Sequence, residues 1–223
     1  MNNFKYILFD LDGTITDSGE GITKAVQYAL KHFGIDVEDI NELKKFVGPP
    51  LRDSYMRFYN LDEEKATEGI KVFREYYVEK GMFENLLYSG IVDVLKTLKK
   101  NNKELIIATS KPEVHAKKIL EHFGIDKYFT IIAGADFEET RVKKGDVIRY
   151  ALNNLQKLLN NGESLDLSKV IMIGDREHDI IGAKENDIKS IGVLYGYGDV
   201  IELTQSRADY IAKTPQEILE ILL

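Results

Sequence analysis

The sequence predicts a doubly wound α/β core, a parallel sheet with helices on both faces, interrupted early by an all-helical insertion. Three observations predict it. From residue 90 onward, short apolar runs alternate with stretches of helical periodicity. Those runs are apolar throughout rather than alternating, as in strands buried on both faces of a parallel sheet. Between residues 16 and 85 the periodicity is helical and nothing reads as a convincing strand.

The elements follow in chain order. The first strand covers 5–10. Ile22, Val26, Ala29, Leu30 and Phe33 then recur at helical spacing, and Gly34 stops that helix. Further helical stretches cover about 38–46, 51–60 and 63–80, with Gly48, Pro49 and Pro50 as a stiff break between two of them. Helix 90–101 leads to strand ELIIAT (104–109). Pro112 suits the first turn of a helix running to Phe123, closed by Gly124. Strand FTIIAG (129–134), helix 144–159, strand KVIMIGD (169–175), helix 177–186 and strand SIGVLY (190–195) complete the series. NNLQKLLNNGESLD (153–166) reads as a helix end and polar loop. The expected organisation is a core of 1–15 plus 86–223 and a helical module over 16–85. An insertion placed there would hang over the carboxyl edge of the sheet, where it could act as a lid.

Composition narrows the function classes. The chain has 223 residues, 43% hydrophobic and 30% charged, as in soluble globular proteins. A net charge of −7 argues against a general nucleic-acid partner, which needs a basic face, but leaves room for a small phosphorylated substrate. The absence of cysteine excludes disulfides, thiolate zinc sites and cysteine nucleophiles. No apolar run approaches the roughly 20 residues of a membrane helix, and the apolar stretch before Asp10 is too short for a secretory signal. The expected location is the cytoplasm, with no membrane or nucleic-acid partner; a monomer and a homodimer both remain open.

The chemistry concentrates where strands end. YILFDLDGTI (6–15) stops at Asp10 and Asp12, two carboxylates beyond a strand's carboxyl end, where α/β sheets bind ligands. Clustered carboxylates stay ionised cheaply beside a positive charge, and a hard cation with oxygen ligands is the natural one. Gly13 permits a tight turn, and Thr14 offers a hydroxyl and an N–H to an anion. Thr109, followed by Ser110 and Lys111, ends a second strand. Lys144 opens the helix after a third, and Gly174-Asp175 followed by Asp179 ends a fourth. Strand ends of a parallel sheet converge on one edge. The resulting carboxylates, lysine and hydroxyl form a kit for phosphoryl transfer. Arg52, after the Gly-Pro-Pro break, is a candidate to reach substrate, with a solvated surface position as the competing reading. Arg141 is weighed as a second phosphate-site cation. The four histidines show no metal-ligand spacing. Phe58, Tyr59, Phe73, Tyr76 and Tyr77 read as the core of the insertion rather than a stacking platform.

Four ordered motifs, DLDGT (10–14), ATSKP (108–112), KKGD (143–146) and GDREHD (174–179), make the chain resemble the haloacid dehalogenase superfamily, specifically its phosphatases with a helical cap. GPPLRDSY (48–55) and VLYGYGD (193–199) make it most similar to phosphoglycolate phosphatases and nucleotidase-like members. The resemblance implies a Mg²⁺-dependent phosphomonoester hydrolase acting on a small phosphorylated metabolite, phosphoglycolate-like or nucleotide. Asp10 would attack phosphorus to form an aspartyl-phosphate. Asp12 would protonate the leaving oxygen and then activate water. Asp10 and Asp175 would hold Mg²⁺ by side-chain oxygens and Asp12 by its backbone carbonyl. Thr109 and Lys144 would hold phosphoryl oxygens, with Asp179 orienting Lys144 or a metal-bound water. Two departures stand out. The third motif has Lys143-Lys144-Gly145 where relatives often have lysine-proline. Either lysine fits, Lys144 better because Asp146-Val147-Ile148 matches the helix start. Ser89 stands where relatives often have proline. A β-phosphoglucomutase-type phosphomutase and a non-catalytic binding protein on the same fold are the rival readings.

Overall fold

The computed structural model describes residues 4–137, 140–159 and 164–223. Its centre is a six-stranded, wholly parallel sheet in the order β5-β4-β1-β6-β7-β8. The strands are β1 (Tyr6–Phe9), β4 (Glu104–Pro112), β5 (Phe129–Ala135), β6 (Val170–Gly174), β7 (Lys189–Val193) and β8 (Tyr210–Ala212). The helices of this part are α4 (Ile91–Lys100), α5 (Glu113–His122), α6 (Lys144–Leu158), α7 (Glu177–Glu185), α8 (Val200–Gln205) and α9 (Pro215–Leu222).

The apolar strand runs are buried on both faces. Ile7, Leu8 and Phe9 of β1 and Ile171, Met172 and Ile173 of β6 are all but inaccessible. Tyr6, Leu8, Ile106 and Met172 pack against Val147, Ile148, Ala151 and Leu155 of α6 and Ala183 of α7. Phe9 pairs in register with Ile107 on one side and Ile173 on the other. The chain leaves β1 towards β4 and leaves β6 towards β7, so strand order reverses at the β1–β6 pair. In α/β sheets such a reversal marks where ligands bind, at the carboxyl ends of the two strands.

The chain forms two compact units, one of Met1–Ile15 with Leu87–Leu223 and the other of Thr16–Leu86. Two short strands, β2 (Thr16–Asp17) and β3 (Leu86–Leu87), pair with each other where the chain passes between them. The second unit holds α1 (Gly19–His32), a 3₁₀ segment (Ile40–Phe46), α2 (Leu51–Tyr59), α3 (Glu63–Tyr76) and a π-turn (Tyr77–Gly81). Phe46, Tyr55, Phe73 and Tyr77 fill its interior, with Phe46 and Tyr55 centroids 5.2 Å apart. Gly21 of α1 donates its N–H to the Glu84 carbonyl. A Cβ on Gly21 would lie 1.8 Å from the Gly81 carbonyl oxygen, so only glycine admits this contact.

Several expectations shift. β4 continues three residues beyond Thr109, with a register irregularity between Thr109 and Pro112. Pro112 therefore ends the strand and precedes the first turn of α5 rather than lying within it. The helix expected over 63–80 passes into the π-turn after Tyr76. α8, β8 and α9 follow the last predicted strand and were not anticipated. The predicted polar loop at 153–166 falls partly outside the described residues. No described helix is long and apolar enough to cross a membrane.

Gly21→Ala is expected to destabilise the helical unit by about 1–3 kcal/mol, the cost of forcing a backbone shift at a packed contact. Denaturant unfolding followed by circular dichroism measures it.

Candidate active site

Charge collects where β1 and β6 end, beside Thr109 of the longer β4. Asp10 follows β1, and its N–H donates to the Ile173 carbonyl at 2.9 Å, which locks it beside β6. Asp175 follows β6, Thr109 lies on β4, and Lys144 is the first residue of α6. Asp10, Thr109, Lys144, Asp175 and Asp179 are all buried.

Lys144 is the hub. Its ammonium lies 2.8 Å from Asp10 Oδ1 and 2.9 Å from Asp179 Oδ1, and it donates to the Ala108 carbonyl at 3.1 Å. Two ion-pair partners and one carbonyl thus surround its three N–H groups. Lys143 is exposed and precedes the helix, so the geometry separates the two candidate lysines. Burial alone would push the Lys144 ammonium down, but Asp10 and Asp179 outweigh it and hold the pKa above the usual lysine value.

Asp10 accepts from the Leu11 N–H at 2.7 Å and from the Thr109 hydroxyl. Burial raises its carboxyl above the ordinary value, against the pull of Lys144. Asp175 accepts from the Tyr197 N–H at 2.8 Å. Its carboxyl is raised well above the ordinary value by burial, then by repulsion from Asp179 and Asp10. Asp179 accepts the Arg176 N–H at 3.1 Å, closing a capping box at the start of α7. Gly174 lets Asp179 approach; a Cβ there would lie 2.1 Å from the Asp179 carboxyl carbon.

Oxygens of Asp10, Asp175 and Asp179 all lie within 4.8 Å of one another. Three buried carboxyl groups face one ammonium here, an excess of acid that the positive charge of a divalent cation would offset. An all-oxygen donor set suits a hard cation. The residues therefore fit a metal ion, and burial of uncompensated carboxylates is the observation that says so.

Other expected residues take different places. The Asp12 carboxylate lies outside this cluster, 2.9 Å from Lys111 Nζ, both side chains being almost wholly buried. Thr14 does not offer its donors to an open anion site. Its N–H donates to the Leu11 carbonyl at 3.3 Å and its hydroxyl to Asp175 at 3.4 Å. Gly13, at φ +80°, serves close packing: a Cβ would lie 2.1 Å from Asp175 Oδ2. Ser110 is half-buried beside Thr109. Arg52 donates to Thr67 at 2.7 Å and lies 3.9 Å from Glu63, tying α2 to α3. Arg141 donates to the Gly134 carbonyl at 2.7 Å and stacks 3.7 Å over Tyr150, which makes it a brace for the end of β5. Lys111, named from sequence beside Thr109, and the VLYGYGD loop that carries Tyr197 are given no role in the site by the sequence. A strand drawn on to Pro112 would have put Lys111 on the same face as Thr109, since residues two apart share a face.

The family model for haloacid dehalogenase-like hydrolases matches residues 7–193. The chain belongs to the haloacid dehalogenase-like hydrolase family. It is 43% identical over 197 residues to a 5′-nucleotidase from Pseudomonas aeruginosa, covering 88% of this chain and 86% of the relative. A phosphoglycolate phosphatase from Vibrio parahaemolyticus is 29% identical over 231 residues, covering 100% and 97%. The crystal structure of a predicted phosphatase from Clostridium acetobutylicum superposes with a TM-score of 0.91 at 49% identity, covering 97% of this chain and 99% of that one. The chain is accordingly an enzyme of a hydrolase family whose members include named phosphatases.

A buried acid with a raised pKa loses folding stability as pH rises from its unfolded value to its folded one, because the unfolded chain gives up the proton first and the native state must hold either the proton or a buried charge. In metal-free protein, Asp175→Asn is therefore expected to be more stable than wild type at neutral pH. The difference should vanish below the ordinary aspartate value of 3.8. Thermal unfolding in chelator across pH measures it, with about 2–4 °C for each kcal/mol relieved.

Proposed function

We propose that this haloacid dehalogenase-like hydrolase is a Mg²⁺-dependent phosphomonoesterase that releases inorganic phosphate from a small phosphorylated metabolite through an aspartyl-phosphate on Asp10. The observation that carries the reading is Lys144 held between Asp10 and Asp179 within a buried cluster of three carboxylates. Such a site has a carboxylate nucleophile, a fixed cation and room in its charge balance for a divalent ion.

Asp10 approaches phosphorus, and Lys144 and the Leu11 N–H fix its orientation. Thr109 and Lys144 hold phosphoryl oxygens, Lys144 by exchanging one of its present acceptors. Asp179 keeps the Lys144 ammonium charged and aimed at Asp10. Asp12 gives a proton to the leaving oxygen, then takes one from the water that attacks the phosphorylated aspartate. Asp10 and Asp175, with Asp179 beside them and the Asp12 backbone carbonyl, would hold Mg²⁺. Bound there, the ion supplies positive charge against the repulsion between a carboxylate and a phosphate dianion. Nucleoside monophosphates lead the substrate candidates because the nucleotidase relative is the more similar, with phosphoglycolate next.

A phosphate-release screen over phosphorylated metabolites, with Mg²⁺ and with chelator, tests the reading. Turnover is expected only with the ion, and continuously without a bisphosphate activator, which separates a hydrolase from a mutase. Asp10→Asn is expected to lower phosphate release by about 10³-fold or more. Unchanged activity in that variant would remove Asp10 as the nucleophile. Asp179→Asn, which keeps the shape and loses a charge, is expected to lower kcat by about 10- to 100-fold with the fold intact.

A further inference from the structure

Asp12 has two carboxylate oxygens, and the structure treats them differently. Oδ2 is 2.9 Å from the Lys111 ammonium. Oδ1 is buried and has no hydrogen-bond partner among the described residues. An ionisable oxygen buried without a partner is costly, so such an atom invites a functional explanation.

Lys111 comes to this place through an irregular piece of backbone. β4 runs past Thr109 and shifts register against β5 between Thr109 and Pro112. The Lys111 N–H donates to Thr109 Oγ1 at 3.2 Å, which fixes the lysine backbone to the residue that touches Asp10. Its side chain is about 5% exposed and that of Asp12 about 10%, so neither is a solvated surface ion pair.

We infer that Lys111 is a positioning residue for the proton-transfer step: it takes one oxygen of Asp12 and thereby presents the other, Oδ1, to the leaving group. This rests on the reading of Asp12 as the acid and base. In the first half-reaction an Asp10 carboxylate oxygen bonds to phosphorus as the ester P–O bond breaks; that bond's electron pair stays on the leaving oxygen, which takes the proton from Oδ1. In the second, Oδ1 takes a proton from water while the water oxygen bonds to phosphorus and the Asp10 carboxylate departs. Lys111 exchanges no proton in either half. It restricts the Asp12 side chain to one rotamer, as a group held within fractions of an ångström requires.

The test compares Lys111→Met and Lys111→Arg with wild type on two esters. One is p-nitrophenyl phosphate, whose leaving group departs without a proton. The other is an alkyl phosphate drawn from the substrate screen, whose alkoxide needs one. The readout is kcat/KM, which reports only the steps through leaving-group departure, so the shared second half drops out. Lys111→Met is expected to lose about 100-fold on the alkyl ester and no more than about threefold on the aryl ester. Lys111→Arg, which keeps the charge and moves the donor, is expected to lose about tenfold with the same selectivity. An equal loss on both esters overturns the inference, because a merely structural or phosphate-binding lysine would act on both alike. If Lys111→Met does not fold, as read by near-ultraviolet circular dichroism, the selectivity of Lys111→Arg decides on the same terms. Unchanged kcat/KM of Asp12→Asn on the alkyl ester would instead sink the underlying reading of Asp12 as acid and base, whatever the Lys111 variants do.

Discussion

The structure depends on one ammonium held between two buried carboxylates. Lys144 meets Asp10 and Asp179 at hydrogen-bond distance, with its remaining donor on a backbone carbonyl. A buried charge is tolerated only when paired and hydrogen-bonded, and Lys144 satisfies both conditions. Asp10 and Asp179 are 169 positions apart in the chain, and the lysine between them arrives from a third segment. The pairing therefore joins the end of β1 to the first turns of α6 and α7 at one point. It also leaves Asp175 uncompensated, which is why burial and its two acidic neighbours drive its carboxyl upward.

The backbone makes such crowding possible. Gly13, Gly174 and Gly196 stand where any side chain would collide with Asp175 or Asp179. Gly196 belongs to the loop that delivers the Tyr197 N–H to Asp175, and Tyr195 in the same loop donates to the Thr14 carbonyl at 3.0 Å. The loop after β7 thus touches both the Asp175 carboxylate and the turn that follows Asp10. The carboxylate cluster is built on close backbone approach as much as on charged side chains. A glycine lost would displace a carboxylate as surely as a mutated aspartate would remove one.

Much of the architecture was legible because its signals are local. Buried parallel strands read as continuous apolar runs, and every strand so identified is present within a residue or two, except at the far end of β4. Gly34 and Gly124 end α1 and α5 with positive φ, as helix-stopping glycines should. The C-terminal elements were not legible: β8 has three residues and α8 six, too short for periodicity to show. The pairing of Lys111 with Asp12 is illegible in the sequence for a related reason. An irregular strand end has no pattern of its own, and the lysine gains meaning only from a carboxylate nearly a hundred residues earlier.

The sequence alone determined which residue types stand at strand ends, and hence the fold class and the inventory of carboxylates, hydroxyl and lysine. Those follow from periodicity and from motif order, which are properties of neighbouring residues. The tertiary structure decided how the inventory is paired. It gave Lys144 rather than Lys143 to Asp10, turned Asp12 towards Lys111 and Thr14 towards Asp175, and drew Asp179 into the acidic cluster. Arg52, a candidate to reach substrate in one dimension, and Arg141, weighed there as a phosphate-site cation, hold Thr67 and the end of β5. The physical reason is that Coulomb attraction and desolvation act on distance and burial, and neither is fixed until distant segments pack together.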